Sequence, residues 1–281
     1  MQVIEFERYP TIDTLSENIK MRCLRSTGHW YAVEKIHGAN YQFITNGLDV
    51  RVASRNRLLT DEEFFGHSIV FERYKDIVVA NHGRLTSQGV IRPGQVLRVF
   101  GELAGVNGNL KVQDNAEYGA LDFYAFDLIA DGARLPYLQV MQLEGLKKAP
   151  LVTSGTFADV MNERNKYPTL VDGSCTCEGN ILRCDETGEV YKHKNDLFVE
   201  KVVRTGFSRQ YVLYITDNRV RAVVSKEGPF ERQKFSQYIQ MIAQDIAVDM
   251  GKDGLDLDFD GKEKQLISQA IAAVFVRKEV A

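Results

Sequence analysis

The sequence is short of cysteine, of net positive charge and of long apolar runs, and each shortage closes off a class of protein. Four Cys in 281 residues cannot make a disulfide scaffold, so a reducing, intracellular setting is expected. The net charge of −3 gives no overall pull on nucleic acid; any nucleic-acid surface must be a local basic patch. The longest apolar run near the C-terminus, AIAAVFV, is far shorter than the roughly 20 residues that span a bilayer. The opening MQVIEFERYP has no positive n-region and no apolar h-region, so no secretory signal is expected. Neither internal repeats nor low-complexity tracts are present. What is there is ordinary for a soluble globular chain: 44% apolar and 26% charged residues, long enough for one large domain or two unequal ones.

Two local patterns invite metal readings that their spacing does not support. Cys175, Cys177 and Cys184 lie close in sequence, with His193 the only nearby fourth ligand. The C-x-C and single Cys lack a second C-x-x-C pair, so they are read as reduced strand thiols rather than a zinc site. DLDFDG, residues 256–261, opens like a calcium loop, but loop position 9 is Lys264 and position 12 is Ile267 where a bidentate Glu is needed. It reads as a solvated acidic loop.

Turn residues divide the chain. HWYAVEK, NYQFIT and LDVRVAS read as three short strands within residues 29–54. Residues 68–83 have helical periodicity and reach a Gly, which predicts a helix ending there. GQVLRVFGELAG and LDFYAFDLIAD are rich in β-branched and aromatic residues and read as strands. Residues 136–167 read as helices, and CEGNILRC with EVYKHK as a strand pair joined through DETG. After about residue 210 three helical patterns follow, the first opening on Thr216 and ending on a Gly, the second running from Pro to Gly. The expected fold class is α+β: a β-rich domain over residues 1–210 and a small all-helical domain over 211–281.

Chemistry-bearing residues recur in a set order. Lys35 ends a strand and is followed by IHGAN. Arg55 comes just after the next strands, in SRNRLL. VFGELAG puts Glu102 near a strand end. FYAFDL offers Phe126 and Asp127, with Phe123 and Tyr124 competing as the aromatic. CEGNIL holds Glu178 before a Gly, and VYKHKNDLFVEK holds Lys192 and Lys194, two apart on a strand and therefore on one face.

That order resembles the six motifs of the covalent nucleotidyltransferase superfamily of ATP-dependent ligases and capping enzymes. It is closest to the RNA ligase 2 family, which includes phage nick-sealing RNA ligases and kinetoplastid RNA-editing ligases. The first motif of that family reads K-x-H-G-x-N, and here it is KIHGAN; a DNA ligase shows K-x-D-G. The fifth reads K-x-K with a downstream E-K, as in KHKNDLFVEK. The motifs span residues 33–201. The last 70 or so residues match only in being short and helical.

The resemblance implies an ATP-grasp-like nucleotidyltransferase domain with antiparallel sheets around an ATP cleft. It implies an ATP-dependent RNA ligase with three steps: Lys35 takes AMP, AMP passes to an RNA 5′-phosphate, and the RNA 3′-OH displaces AMP. Lys35 is then the nucleophile, and Lys192 and Lys194 bind the α-phosphate. Glu178 holds Mg2+ or Mn2+, and Glu102 takes the ribose hydroxyls. Phe126 stacks on adenine, and Glu34, Asn40 and Arg55 complete the nucleotide site. His37 serves near the phosphates in transfer to RNA. Asp127 is left open between a structural and a metal-adjacent place. A free lysine titrates near 10.4, so a neutral amine at pH 7.4 costs roughly 4 kcal/mol. Lys192 and Lys194 are expected to lower that cost by lowering the Lys35 pKa. Arg219, Arg221 and Lys226, in the first tail helix, are expected to meet RNA phosphates. The implied partner is RNA with 3′-OH and 5′-phosphate ends, as a nicked duplex, acted on by a monomer in the cytoplasm. Rival readings are a DNA ligase or GTP-using capping enzyme, which usually carry an OB-fold after the fifth motif, and an RNA-binding protein that has lost catalysis.

Overall fold

A computed structural model describes residues 3–60, 64–113, 118–195, 214–252 and 261–276. Two compact units divide the chain, residues 1–198 and 199–281. The boundary expected near residue 210, the Glu200–Lys201 pair of the fifth motif and most of the DLDFDG loop lie outside the described residues.

The first unit is built on two mainly antiparallel sheets. One has the order β1 (Asp13–Thr14), β12 (Val190–Lys194), β11 (Gly179–Cys184), β2 (Trp30–Glu34), β10 (Leu151–Gly155); only its β1–β12 pair is parallel. The other has the order β4 (Val50–Ser54), β3 (Ala39–Thr45), β5 (Leu97–Ala104), β8 (Asp122–Ala130), β9 (Ala133–Arg134). A two-stranded ribbon, β6 (Val106–Asn107) with β7 (Leu110–Lys111), sits in the β5–β8 connection. The central strands β3, β5 and β8 are buried on both faces, which explains why they read as near-continuous apolar runs.

One face of the second sheet packs on α2 (Ser68–Ser87) through Val70, Tyr74, Val78 and Leu85, with Tyr41, Phe43 and Phe123 opposite. The expected stop at Gly83 does not occur. Leu85, beyond it, is fully buried and anchors another turn, and the chain leaves the helix at Gly89, whose φ of +71° is the left-handed geometry glycine favours. Residues 136–167 also depart from the helical reading. Two short helices, α3 (Tyr137–Met141) and α4 (Phe157–Asn162), flank β10, which adds to the edge of β2. LVTSG is too short and too rich in β-branched residues to hold a helical turn against an available strand edge.

The helices of the first unit also include α1 (Glu17–Cys23). The second unit packs α5 (Asp217–Val224), α6 (Phe235–Lys252) and α7 (Gly261–Ile271) around Val220, Tyr238, Ile242, Ile246 and Ile267. Thr216 caps α5 by accepting from Arg219 N at 3.2 Å, as its sequence position predicts. Among the described residues no helix is long and apolar enough to cross a membrane.

Candidate active site

The interruptions of burial in the two sheets mark the site. In β5 only Glu102 escapes full burial, in β8 only Phe126, and in β11 only Ile181. Half-buried Lys35, Lys192 and Lys194 belong to the same pattern. Strand alternation puts Lys35, Ile181, Lys192 and Lys194 on one face of the first sheet. Asn40 and Glu102, directly paired across β3 and β5, share a face of the second.

Glu178 is the hub. Its carboxylate is buried, forms a short ion pair with Lys35 Nζ, accepts from Lys194 Nζ at 2.9 Å, and lies 3.3 Å from His37 Nδ1. Burial works against its charge, but Lys35 and Lys194 outweigh burial and hold it well below the usual carboxylate range. Two glycines make this approach possible. Gly179 has φ of +134°, and a Cβ there would collide with the His193 carbonyl and Lys194. A Cβ on Gly38 would collide with the Leu103 carbonyl and the Glu102 side chain, so the turn after Lys35 can nest against β5 only as glycine.

The charges differ from expectation at the nucleophile. Burial pushes the Lys35 ammonium toward neutrality, but Glu178 and Glu102 reverse that and raise its pKa above the ordinary lysine value; Arg55 pulls the other way. Lys192 and Lys194 therefore do not leave Lys35 with a lowered pKa, because Glu178 lies between the amines. The depressed amine is Lys192, which burial, then Lys35 and Lys194, push down to about 8. Glu102 is pushed up to about 7 by burial, against the pull of Lys35. Four cations, Lys35, Arg55, Lys192 and Lys194, thus surround two carboxylates, one of them only partly ionised near pH 7. That surplus suits a polyanion.

The remaining expected residues fall out as follows. Asn40 Oδ1 is buried with no hydrogen-bond partner among the described residues, on the same face as Glu102, where it can accept from a hydroxyl. Phe126 is the extra residue of a β-bulge: Phe100 pairs with Asp127 and Gly101 with Ala125. Phe123, its competitor, is fully buried among Tyr41, Phe43 and Tyr74 and is a core residue. Asp127 is structural: it accepts from Tyr9 at 2.9 Å, Arg134 Nε at 2.7 Å and Arg183 Nη1 at 3.2 Å. Glu34 does not join the cluster through its side chain. As the neighbour of Lys35 it points to the opposite face, where Thr169 Oγ1 and Leu170 N, the latter at 2.7 Å, donate to its buried carboxylate.

The three clustered cysteines do not converge. Cys184 packs with Cys23 and Trp30, while the Cys177 thiol lies 3.5 Å from the Asn165 carbonyl. Among the described residues no group of three or more His, Cys, Asp or Glu is placed to hold a metal. A divalent cation at Glu178 would need substrate oxygens and water to fill its shell, which is how Mg2+ is commonly bound beside phosphates.

The sequence reading missed Tyr118 and Gln113. They come from the β5–β8 connection and bond to the turn after Lys35, a contact between segments about 80 residues apart that no local pattern announces. It also missed a cavity of about 480 Å³ lined by Tyr124, Tyr137, Lys148, Pro150 and Leu170, among others. Tyr124 lies directly opposite Glu102 in the sheet.

Two facing sheets with a lysine at a strand end and a surplus of cations around it have the form of a nucleotidyltransferase domain. A model of the RNA ligase family matches residues 28–203, more than half of the chain, and a model of the T4 RNA ligase 2 C-terminal region matches residues 207–274. The chain belongs to the RNA ligase family. Solved structures of Naegleria gruberi RNA ligase are similar at low identity. An apo variant has 17% identity and a TM-score of 0.49, with 68% of this chain and 58% of that one covered. The pyrophosphate complex has 17% identity and a TM-score of 0.49, covering 69% and 57%. A variant with ATP and manganese has 17% identity and a TM-score of 0.48, covering 69% and 57%. The chain therefore spans less than two thirds of the length of these structures.

Proposed function

We propose that the chain is an ATP-dependent RNA ligase in which Lys35 becomes covalently attached to AMP. The observation behind this reading is the Glu178 hub, where one buried carboxylate holds both Lys35 and Lys194 while Lys192 and Arg55 add further positive charge. Such a cluster binds a triphosphate and brings an amine to it. Lys194, Lys192 and Arg55 hold phosphate oxygens, Glu102 and Asn40 take the ribose hydroxyls, and Phe126 takes a face of the base. Glu178 is the residue to hold Mg2+ or Mn2+, and the cation, when bound, would withdraw charge from the α-phosphate. Released from its salt bridge, Lys35 gives up a proton and its Nζ attacks the α-phosphorus. The N–P bond forms as the bond to pyrophosphate breaks.

In the second step a 5′-phosphate oxygen of RNA attacks the same phosphorus. The N–P bond breaks and Lys35 recovers its proton. In the third the 3′-OH attacks the 5′-phosphorus, AMP leaves, and a phosphodiester bond remains. Residues 1–210 form the adenylation domain in this reading and 211–281 the RNA-engaging domain. The substrate is RNA with 3′-OH and 5′-phosphate ends, most simply a nicked duplex, sealed by a monomer in the cytoplasm.

The full chain incubated with α-labelled ATP and Mg2+ should take covalent label, and Lys35→Ala should take none. Lys35→Ala should still seal RNA supplied already adenylylated. Full labelling of Lys35→Ala would refute the assignment, and labelling from GTP at the ATP rate would move the reading to a capping enzyme.

A further inference from the structure

Beyond the residues that meet nucleotide, the turn after Lys35 is held from behind. We infer that Tyr118 and Gln113 are positioning residues that set His37 against Glu178; the inference rests on the ligase reading of that cluster. The His37 backbone N–H donates to the Tyr118 hydroxyl at 3.1 Å, and Gln113 Nε2 donates to the Gly38 carbonyl at 2.9 Å. Both side chains are buried. The His37 ring leaves this turn to place Nδ1 3.3 Å from the Glu178 oxygen that Lys35 also holds. Two consecutive residues of the turn are thus gripped by one connection through their backbone, leaving the His37 ring to reach the carboxylate.

The grip is itself anchored. Val106 N donates to Gly119 O at 2.9 Å and Leu121 N to Val106 O at 2.9 Å, which fixes the backbone on the C-terminal side of Tyr118. Val112 N donates to Gly105 O at 3.2 Å, next to Gln113. Gly119 N also donates to Asp172 Oδ2 at 3.2 Å, in the segment that leads to Glu178. Burial pushes the Tyr118 phenol far above its usual range, so it stays protonated and can accept from His37. The β5–β8 connection therefore touches both chain segments that meet at the hub. Without the hydroxyl, the His37 N–H loses the Tyr118 contact and the turn is held less firmly, and misplacement of a group by about an ångström costs rate.

Tyr118→Phe keeps the ring in the core and removes only the hydroxyl. In the full chain already carrying labelled AMP, single-turnover transfer of that label to RNA with a 5′-phosphate should slow by about three- to tenfold, the loss of one hydrogen bond. Gln113→Leu should slow it comparably. Melting curves identify any variant that loses packing, and rates are compared well below both transitions. The decisive readout is a double-mutant cycle. If Tyr118 acts through His37, Tyr118→Phe should add less than about twofold in a His37→Ala background, because coupled sites are not additive. Full-rate transfer of AMP to RNA by Tyr118→Phe, or the same slowing in the His37→Ala background, overturns the assignment and leaves the ligase reading intact. A wild-type protein that takes no label overturns both.

Discussion

Glu178→Gln removes a charge and almost no volume, and its outcome separates two roles for that carboxylate. The side chain is 6% exposed, against 21% for Lys35 and 29% for Lys194. Leaving a buried charge unpartnered costs about 3–5 kcal/mol. Here the two stranded cations keep some water and the glutamine oxygen keeps one hydrogen bond, so about 3 kcal/mol is the working figure. For a unit of residues 1–198 that is a fall in Tm of roughly 6–12 °C. The sign with pH follows from the lowered carboxyl. Its stabilisation is complete above the unfolded value, about 4.3, and is lost as pH falls toward the folded one. The gap between wild type and variant should be full at pH 7 and close in acid. The chemistry gives a second reading. With Glu178 gone, the largest influence raising the Lys35 pKa is removed and the amine is freer at pH 7. If the carboxylate were only a counter-ion, labelling would speed up. If it holds a divalent cation, labelling should slow by at least about tenfold despite the freer amine, with partial recovery in raised Mn2+. Melting by calorimetry and labelling from ATP check both. An unchanged Tm with labelling at or above the wild-type rate would refute the reasoning.

Lys192→Met should raise Tm at pH 7 by roughly 2–4 °C while slowing labelling by about tenfold, since the folded protein holds an ammonium it disfavours below pH 8. In the wild type the unfolded chain keeps that proton to about 10.4, so this group's contribution makes stability rise between about pH 8 and 10; a flat profile there would count against the depressed amine. Arg219→Ala should lower the melting of the helical unit and abolish sealing of nicked RNA while leaving label formation on Lys35 unchanged. Sealing at the wild-type rate with lowered melting would show that the helical unit is dispensable.

That last variant follows from a correction. Arg219 is buried, ion-paired with Asp245 and Asp249, and stacked on Tyr214; Lys226 bonds Asp245 at 3.1 Å, and Arg221 lies over Phe275. These cations hold the helical unit together, so the expected phosphate contacts cannot be assigned to them. Sequence shows charge but not which acidic residue of the next helix will claim it. The hub was more legible, because Lys35, Glu178 and Lys194 each lie at a strand end whose apolar pattern and glycines are local. Glu34 does not meet the Lys35 cluster through its side chain, which a local rule allows: adjacent strand residues face opposite ways. Phe126 comes from the resemblance, and nothing in composition announces the bulge that makes it the extra residue of β8. β10 was hidden because its partner edge lies more than a hundred residues away.

The Asp127 network has a consequence for how the cleft can be entered. Asp127 belongs to β8 in one sheet and Arg183 to β11 in the other, and both are almost wholly buried. Among the described residues no ladder of backbone bonds joins these sheets, yet this ion pair runs from one to the other. Parting them would break this pair, although Asp127 would keep Arg134 and Arg183 would keep Asp185. The pair acts as a buried cross-tie: it resists widening of the cleft without fixing its width.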